Sequence, residues 1–148
     1  MGCNPWYSVD PHMANEAQPL IRLVAAVIER DGRYLITQRR STAVLPGLWE
    51  FPGGRVEDGE TDEEALRREL RERLGTEVEV KARMAHRVHH YQGYSVDLNL
   101  YQTAIQPGQE PQALRVAEAR WVPSSEFEKY PFPAADQATT DLLLGFRR

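Results

Sequence analysis

Two glutamates, Glu69 and Glu72, stand three residues apart in "RRELRERLG", and a pair of glycines, Gly53-Gly54, precedes them. On a helix each residue advances by about 100°, so positions i and i+3 share one side, roughly 60° apart. Two carboxylates placed like this repel unless a cation or a proton resolves the conflict. A hard divalent ion such as Mg²⁺ takes carboxylate oxygens together with phosphate oxygens. Glycines let a backbone come close, so that a loop carbonyl can act as a further hard ligand. The residues on offer therefore suit a metal cradle that can also meet phosphate oxygens. A plainer reading also fits: a solvated helix whose charges pair at i, i+4 as Glu64–Arg68 and Glu69–Arg73.

The elements that must hold these residues can be read locally. Thr61 followed by Glu64 is a capping box, Gly75 is a C-terminal stop, and Ala65, Leu66, Leu70 and Leu74 form one apolar stripe, which predicts a helix over 61–74. Residues 20–29, "LIRLVAAVIE", predict a strand buried on both faces. Asp31-Gly32 marks a turn, and 34–40 reads as the partner strand of a hairpin. Residues 77–91 and 94–105 alternate around Gln92-Gly93 and predict a long hairpin. "ARWVP" (119–123) is a short strand, and "PSSEFEKY" is a brief helical turn with Ser as its cap. "DQATTDLLLGF" reads as a closing helix. This order predicts one α/β or α+β domain over 20–148, with a mixed sheet between helices.

The spacing is similar to the signature of the Nudix hydrolase family, G-x5-E-x7-R-E-U-x-E-E-x-G-U, where U is aliphatic. Gly54 opens it, Glu60 follows, then Arg68-Glu69, Leu70, Glu72 and Gly75. "LWEFPGG" before the motif, "ARWVP" after the hairpin and the closing helix add to the resemblance, which runs from about residue 20 to 147. It implies a Nudix-type α/β/α sandwich. It implies hydrolysis of a nucleoside diphosphate linked to X, here a nucleoside triphosphate, oxidised or modified, cut to monophosphate and pyrophosphate with Mg²⁺ or Mn²⁺. By the same resemblance Glu69, Glu72 and the Gly53 carbonyl bind metal, either glutamate serving as base. Arg68 orients Glu69, and Glu60 supports that network from behind. The "EKYPFPAAD" loop resembles one that places Phe132 and Asp136 at the base. Separately, the pair Arg39-Arg40 at the end of the second strand either faces phosphates or is an ordinary exposed pair of charges. Asp136 equally suits an N-cap for the last helix.

Two positions depart from the pattern. Arg73 stands where the family has the second acid of its "EE" pair, and Thr76 replaces an aliphatic residue. A further acid that one branch carries about six residues before the tryptophan falls here on Arg115 by direct count, with Glu118 and Glu110 as the nearby acids that could take its place. Arginine is permanently charged and only donates, so it repels a cation where an acid would bind one. Either the metal site is trimmed and Arg73 meets substrate phosphate, or the domain only binds a nucleotide or partner without catalysis.

Composition narrows the rest. A net charge of −4 argues against a nucleic-acid partner. A single cysteine, Cys3, rules out an internal disulfide and suits a cytoplasmic setting. No apolar run is long enough for a membrane helix. His86, His89 and His90 lack the compact ligand set of a zinc site. Residues 1–19 read as a tail, with His12-Met13 resembling an added junction. The expected partner is a small nucleotide, with the chain a monomer or a homodimer.

Overall fold

The computed structural model describes residues 19–42 and 46–133. The tail over 1–18, Asp136 and the expected closing helix lie outside them. The described chain is a mixed α+β fold with two four-stranded sheets. Its strands are β1 (Leu20–Val27), β2 (Glu29–Arg30), β3 (Arg33–Gln38), β4 (Trp49–Glu50), β5 (Gly53–Arg55), β6 (Val78–Tyr91), β7 (Tyr94–Ile105) and β8 (Glu118–Val122). One α-helix, α1 (Asp62–Leu74), and a 3-10 helix, Ser124–Lys129, complete it. The first sheet runs β5-β1-β7-β6, with β1 parallel to β7 and the other pairs antiparallel. The second joins β2, β3 and β4, with β8 also on β3. Among the described residues no helix is long and apolar enough to cross a membrane.

The expected hairpin between 20–29 and 34–40 is only partly formed. Asp31 and Gly32 both take positive φ, 53° and 78°, and make the tight turn. Yet β3 pairs with β2 and not with β1. Both edges of β1 are already taken, by β5 and β7, so the chain leaves the first sheet after Val27 and begins a second.

Helix α1 forms where its caps predict. Thr61 Oγ1 accepts from Glu64 N at 3.1 Å, Glu64 Oε1 accepts from Thr61 N at 2.9 Å, and Gly75 ends the helix in the left-handed region. Glu64 is thereby committed to the cap, and the Glu64–Arg68 pair considered above is replaced by Arg68–Glu60. Ala65, Leu66, Leu70 and Leu74 are fully buried against Val24, Ala26, Ile28 and Leu35. Each such leucine contributes about 1.5–3 kcal/mol of apolar burial. The N-terminal end is anchored by Asp62, which accepts from Arg22 Nε at 2.7 Å and from the Tyr101 hydroxyl at 2.5 Å. At the other end the loop backbone satisfies the exposed carbonyls of α1. Gln112 N donates to Leu74 O at 2.9 Å, and Leu114 N and Arg115 N donate to Arg73 O at 3.0 and 3.1 Å.

The 3-10 helix departs from its expected cap. Pro123 precedes it in extended conformation and no side chain caps it, while Ser124 lies buried inside the turn. The three histidines belong to the β6 strand. His86 Nε2 meets Asp97 Oδ1 at 2.5 Å, His90 Nδ1 meets Ser95 Oγ at 2.7 Å, and His89 packs on Tyr91.

Candidate active site

The two glycines before α1 are explained by space. A Cβ on Gly53 would lie 2.0 Å from the Val24 carbonyl oxygen, because β5 runs tight against β1. A Cβ on Gly54 would lie 2.4 Å from the Glu69 carboxyl carbon. Only glycine leaves room at 54 for that carboxylate, so the strand and the helix residue form one cradle.

Arg68 organises the acids around it. Its Nε donates to Glu60 Oε2 at 2.7 Å and Nη2 donates to Glu60 Oε1 at 3.0 Å, a bidentate fork. Nη2 also donates to the Arg55 carbonyl at 3.0 Å. Nη1 donates to Glu69 Oε2 at 2.9 Å and lies 3.6 Å from Glu72 Oε1. The structure thus brings Glu60, Arg68 and Glu69 together in one hydrogen-bonded network. The Arg68 guanidinium holds the Glu60 carboxyl below its ordinary value of 4.5. A carboxyl lowered on folding contributes stability in full above its unfolded value, and the contribution drains away as pH falls through the lowered one. The melting temperature of Glu60→Gln will therefore lie below wild type at neutral pH, and the gap will close on acidification. A gap that stays constant down to strongly acidic pH would show that the pair does not act through charge.

Arg73 joins the same cradle from the next turn. Its Nε donates to the other Glu69 oxygen, Oε1, at 2.6 Å. Its Nη1 lies 3.9 Å from Glu50 Oε2. Glu50, on β4, is buried and accepts from Arg39 Nη1 at 3.4 Å. Burial pushes the Glu50 carboxyl up, and the Arg39 and Arg73 guanidiniums oppose that rise. The Arg73 guanidinium thus sits between two carboxylates, where a metal cation would otherwise be attractive.

A cleft of about 250 Å³ opens over this cluster, lined by Arg39, Arg40, Glu69, Glu72, Arg73 and Arg115. The structure therefore gathers Glu69, Glu72, Arg39 and Arg73 in one place, with Arg68 and Glu60 supporting them. Phe132 is not part of this lining. It is half-buried and packs on Phe51 at 5.8 Å and Phe127 at 6.0 Å. Glu50 was not foreseen, although an acid inside the apolar "LWEFP" run is itself a sign of a buried partnered charge. Arg115 reaches the cleft because its backbone docks on the end of α1.

The NUDIX domain model matches residues 23–142 of the chain. This protein belongs to the NUDIX family. Over 132 residues it is 36% identical to the CTP pyrophosphohydrolase of Escherichia coli strain K12, a match covering 86% of this chain and 94% of that one. A shorter match, 44% identical over 59 residues, joins it to the 8-oxo-dGTP diphosphatase of Proteus vulgaris, spanning 39% of this chain and 53% of that one. In three dimensions it is similar to the E. coli ORF135 protein, with a TM-score of 0.74 and 35% identity over 88% of this chain and 92% of that one. It is also similar to the MutT NUDIX hydrolase of Burkholderia pseudomallei, with a TM-score of 0.71 and 25% identity over 84% and 98% of the two chains.

NUDIX hydrolases generally use divalent metal ions, so the donors of this cleft bear on the chemistry. Among the described residues no three acidic, histidine or cysteine side chains converge as a metal cluster. Two carboxylates, Glu69 and Glu72, do line the cleft together. Two are enough for a hard ion that completes its shell with backbone, water and phosphate oxygens.

Proposed function

We propose that the protein hydrolyses a nucleoside triphosphate to the monophosphate and pyrophosphate, with Mg²⁺ or Mn²⁺ held by Glu69, Glu72 and the Gly53 carbonyl. The observation that carries this reading is the cleft itself: Glu69 held by Arg68, Glu72 3.6 Å from the same guanidinium, and four arginines lining the space with them. The relative that matches over nearly its whole length is a CTP pyrophosphohydrolase, and it supports the triphosphate as substrate. The relatives lend no support to a non-catalytic module.

In the reaction a water oxygen bonds to phosphorus, the P–O–P bridge breaks, and pyrophosphate leaves. When bound, the divalent ion supplies charge neutralisation on the phosphates and a more acidic water. The chain supplies the rest. Arg39, Arg40, Arg73 and Arg115 draw the polyphosphate into the cleft and hold it there. Glu69 is locked by Arg68 and Arg73 on its two oxygens, so it serves as a fixed ligand. Glu72 is half-exposed, with its nearest guanidinium nitrogen 3.6 Å away, and is the carboxylate with room to take the water's proton. Phe51, Phe127 and Phe132 pack together as one aromatic group beside the core. Phe132, with Asp136, is the proposed wall for the base.

The test is a panel of CTP, the other common triphosphates and 8-oxo-dGTP with Mg²⁺ or Mn²⁺, read as pyrophosphate and monophosphate release. Wild type will release both from at least one nucleotide, and Glu72→Gln will be slower by about 10²-fold or more. No release from any nucleotide, or equal rates in the variant, would sink the reading.

A further inference from the structure

The cleft carries an excess of fixed positive charge before any metal enters. Four guanidinium groups, Arg39, Arg40, Arg73 and Arg115, line it with two carboxylates, Glu69 and Glu72, and the buried Glu50 pairs with Arg39 behind them. Arg73 already occupies the gap between Glu69 and the buried Glu50, at 2.6 and 3.9 Å, and so neutralises those acids from within. Arg40 and Arg115 are exposed and form no ion pair among the described residues.

Their placement comes from three separate elements. Arg40 follows the end of β3, Arg73 is on α1, and Arg115 is on the loop whose backbone is bonded to the Arg73 carbonyl. The same loop is tied to β3 through Ala117 N donating to Gln38 O at 2.8 Å. The rim is thus braced by main-chain bonds on both sides. Arginine forks match the oxygens of a phosphate in pairs, and a cleft with low-dielectric walls strengthens the attraction.

Resting on the reading of this cleft as the seat of a nucleotide's phosphates, we propose that it binds a pyrophosphate group free of divalent metal, through Arg40, Arg115 and Arg73. A site of carboxylates alone would repel such an anion until a metal bridged the two. Here the Arg73 guanidinium serves as a built-in cation. Both free pyrophosphate and the tail of an uncomplexed nucleotide carry the required chemistry. Free pyrophosphate and excess nucleotide over metal are therefore occupants that compete with the metal complex.

The experiment is calorimetric titration of the whole chain with sodium pyrophosphate in excess chelator at low ionic strength. Saturable binding is expected, weakening steeply as salt is added. The double variant Arg40→Ser, Arg115→Ser will bind at least about tenfold more weakly. Its melting temperature will be unchanged, since both side chains are exposed. A control removes the same charge from exposed positions outside the cleft, Arg33→Ser with Arg67→Ser, and will bind as wild type. No binding in chelator up to millimolar pyrophosphate overturns the proposal. So does a double variant that binds as wild type, or a control that weakens as much as the double variant. Hydrolysis is scored separately with metal present. Pyrophosphate binding without turnover would remove the enzymatic reading and leave this one standing, and turnover without metal-free binding would do the reverse.

Discussion

Replacing Glu69 by Gln will lower turnover on the order of 10³-fold, the scale seen when one fixed electrostatic partner of a transition state is removed. The two side chains have nearly the same shape, so the effect reads charge and hydrogen bonding rather than volume. Glu69 accepts from Arg68 Nη1 at 2.9 Å on one oxygen and from Arg73 Nε at 2.6 Å on the other. An amide can satisfy only one of these donors. Its NH₂ group must face the other guanidinium, donor against donor. Charge-assisted hydrogen bonds contribute about 1.5–3 kcal/mol each, so a loss of about 2 kcal/mol in stability will accompany the loss of rate. The two effects separate by assay. Steady-state rates at a temperature well below the melting point report the chemistry, and thermal melts report the fold. If Glu69→Gln keeps turnover within about tenfold of wild type, the carboxylate is structural and the proposed ligand set is wrong.

Why Glu69 with Arg68 and Arg73 could be picked out in the sequence, while Glu50 could not, follows from range. Helix α1 is specified by signals within a few residues: Thr61 and Glu64 at one end, Gly75 at the other, and the buried stripe between. The β6–β7 hairpin likewise follows from alternation around Gly93, whose φ of 89° suits the turn. The move from the first sheet to the second after Val27 left no mark, because an apolar strand reads the same whichever neighbour it takes. Glu50 is explained by Arg39 and Arg73, which are 11 and 23 positions away and adjacent only after β4 pairs with β3 and α1 packs. Arg115 is brought in by main-chain bonds to the helix end, which side-chain identity does not encode. The i, i+4 rule was half right for a related reason. Glu69–Arg73 forms, whereas Glu64 is drawn to the cap and leaves Arg68 to Glu60.

The reversal of charge at Arg73 gives the other large effect. In Arg73→Glu a carboxylate replaces the cation that lies 2.6 Å from Glu69 and 3.9 Å from Glu50. Three acids would then crowd one space, and Glu50, which is buried, would keep Arg39 as its cationic neighbour among the described residues. Without divalent ions the variant will be destabilised by about 3–5 kcal/mol, the cost of leaving a buried charge poorly paired. Mn²⁺ or Mg²⁺ will restore much of that. An ion at a hundred times its dissociation constant stabilises the folded state by about 2.7 kcal/mol. Wild type will show a far smaller shift, because its internal guanidinium already neutralises the acids. The measurement is the melting temperature in chelator and along a Mn²⁺ series, with Mn²⁺ binding followed independently by electron paramagnetic resonance. A variant that melts as wild type in chelator and gains nothing from Mn²⁺ would place Arg73 outside the cation site. A variant with the predicted metal response would mean that this position sets how much of the cleft's positive charge comes from the chain and how much from solution.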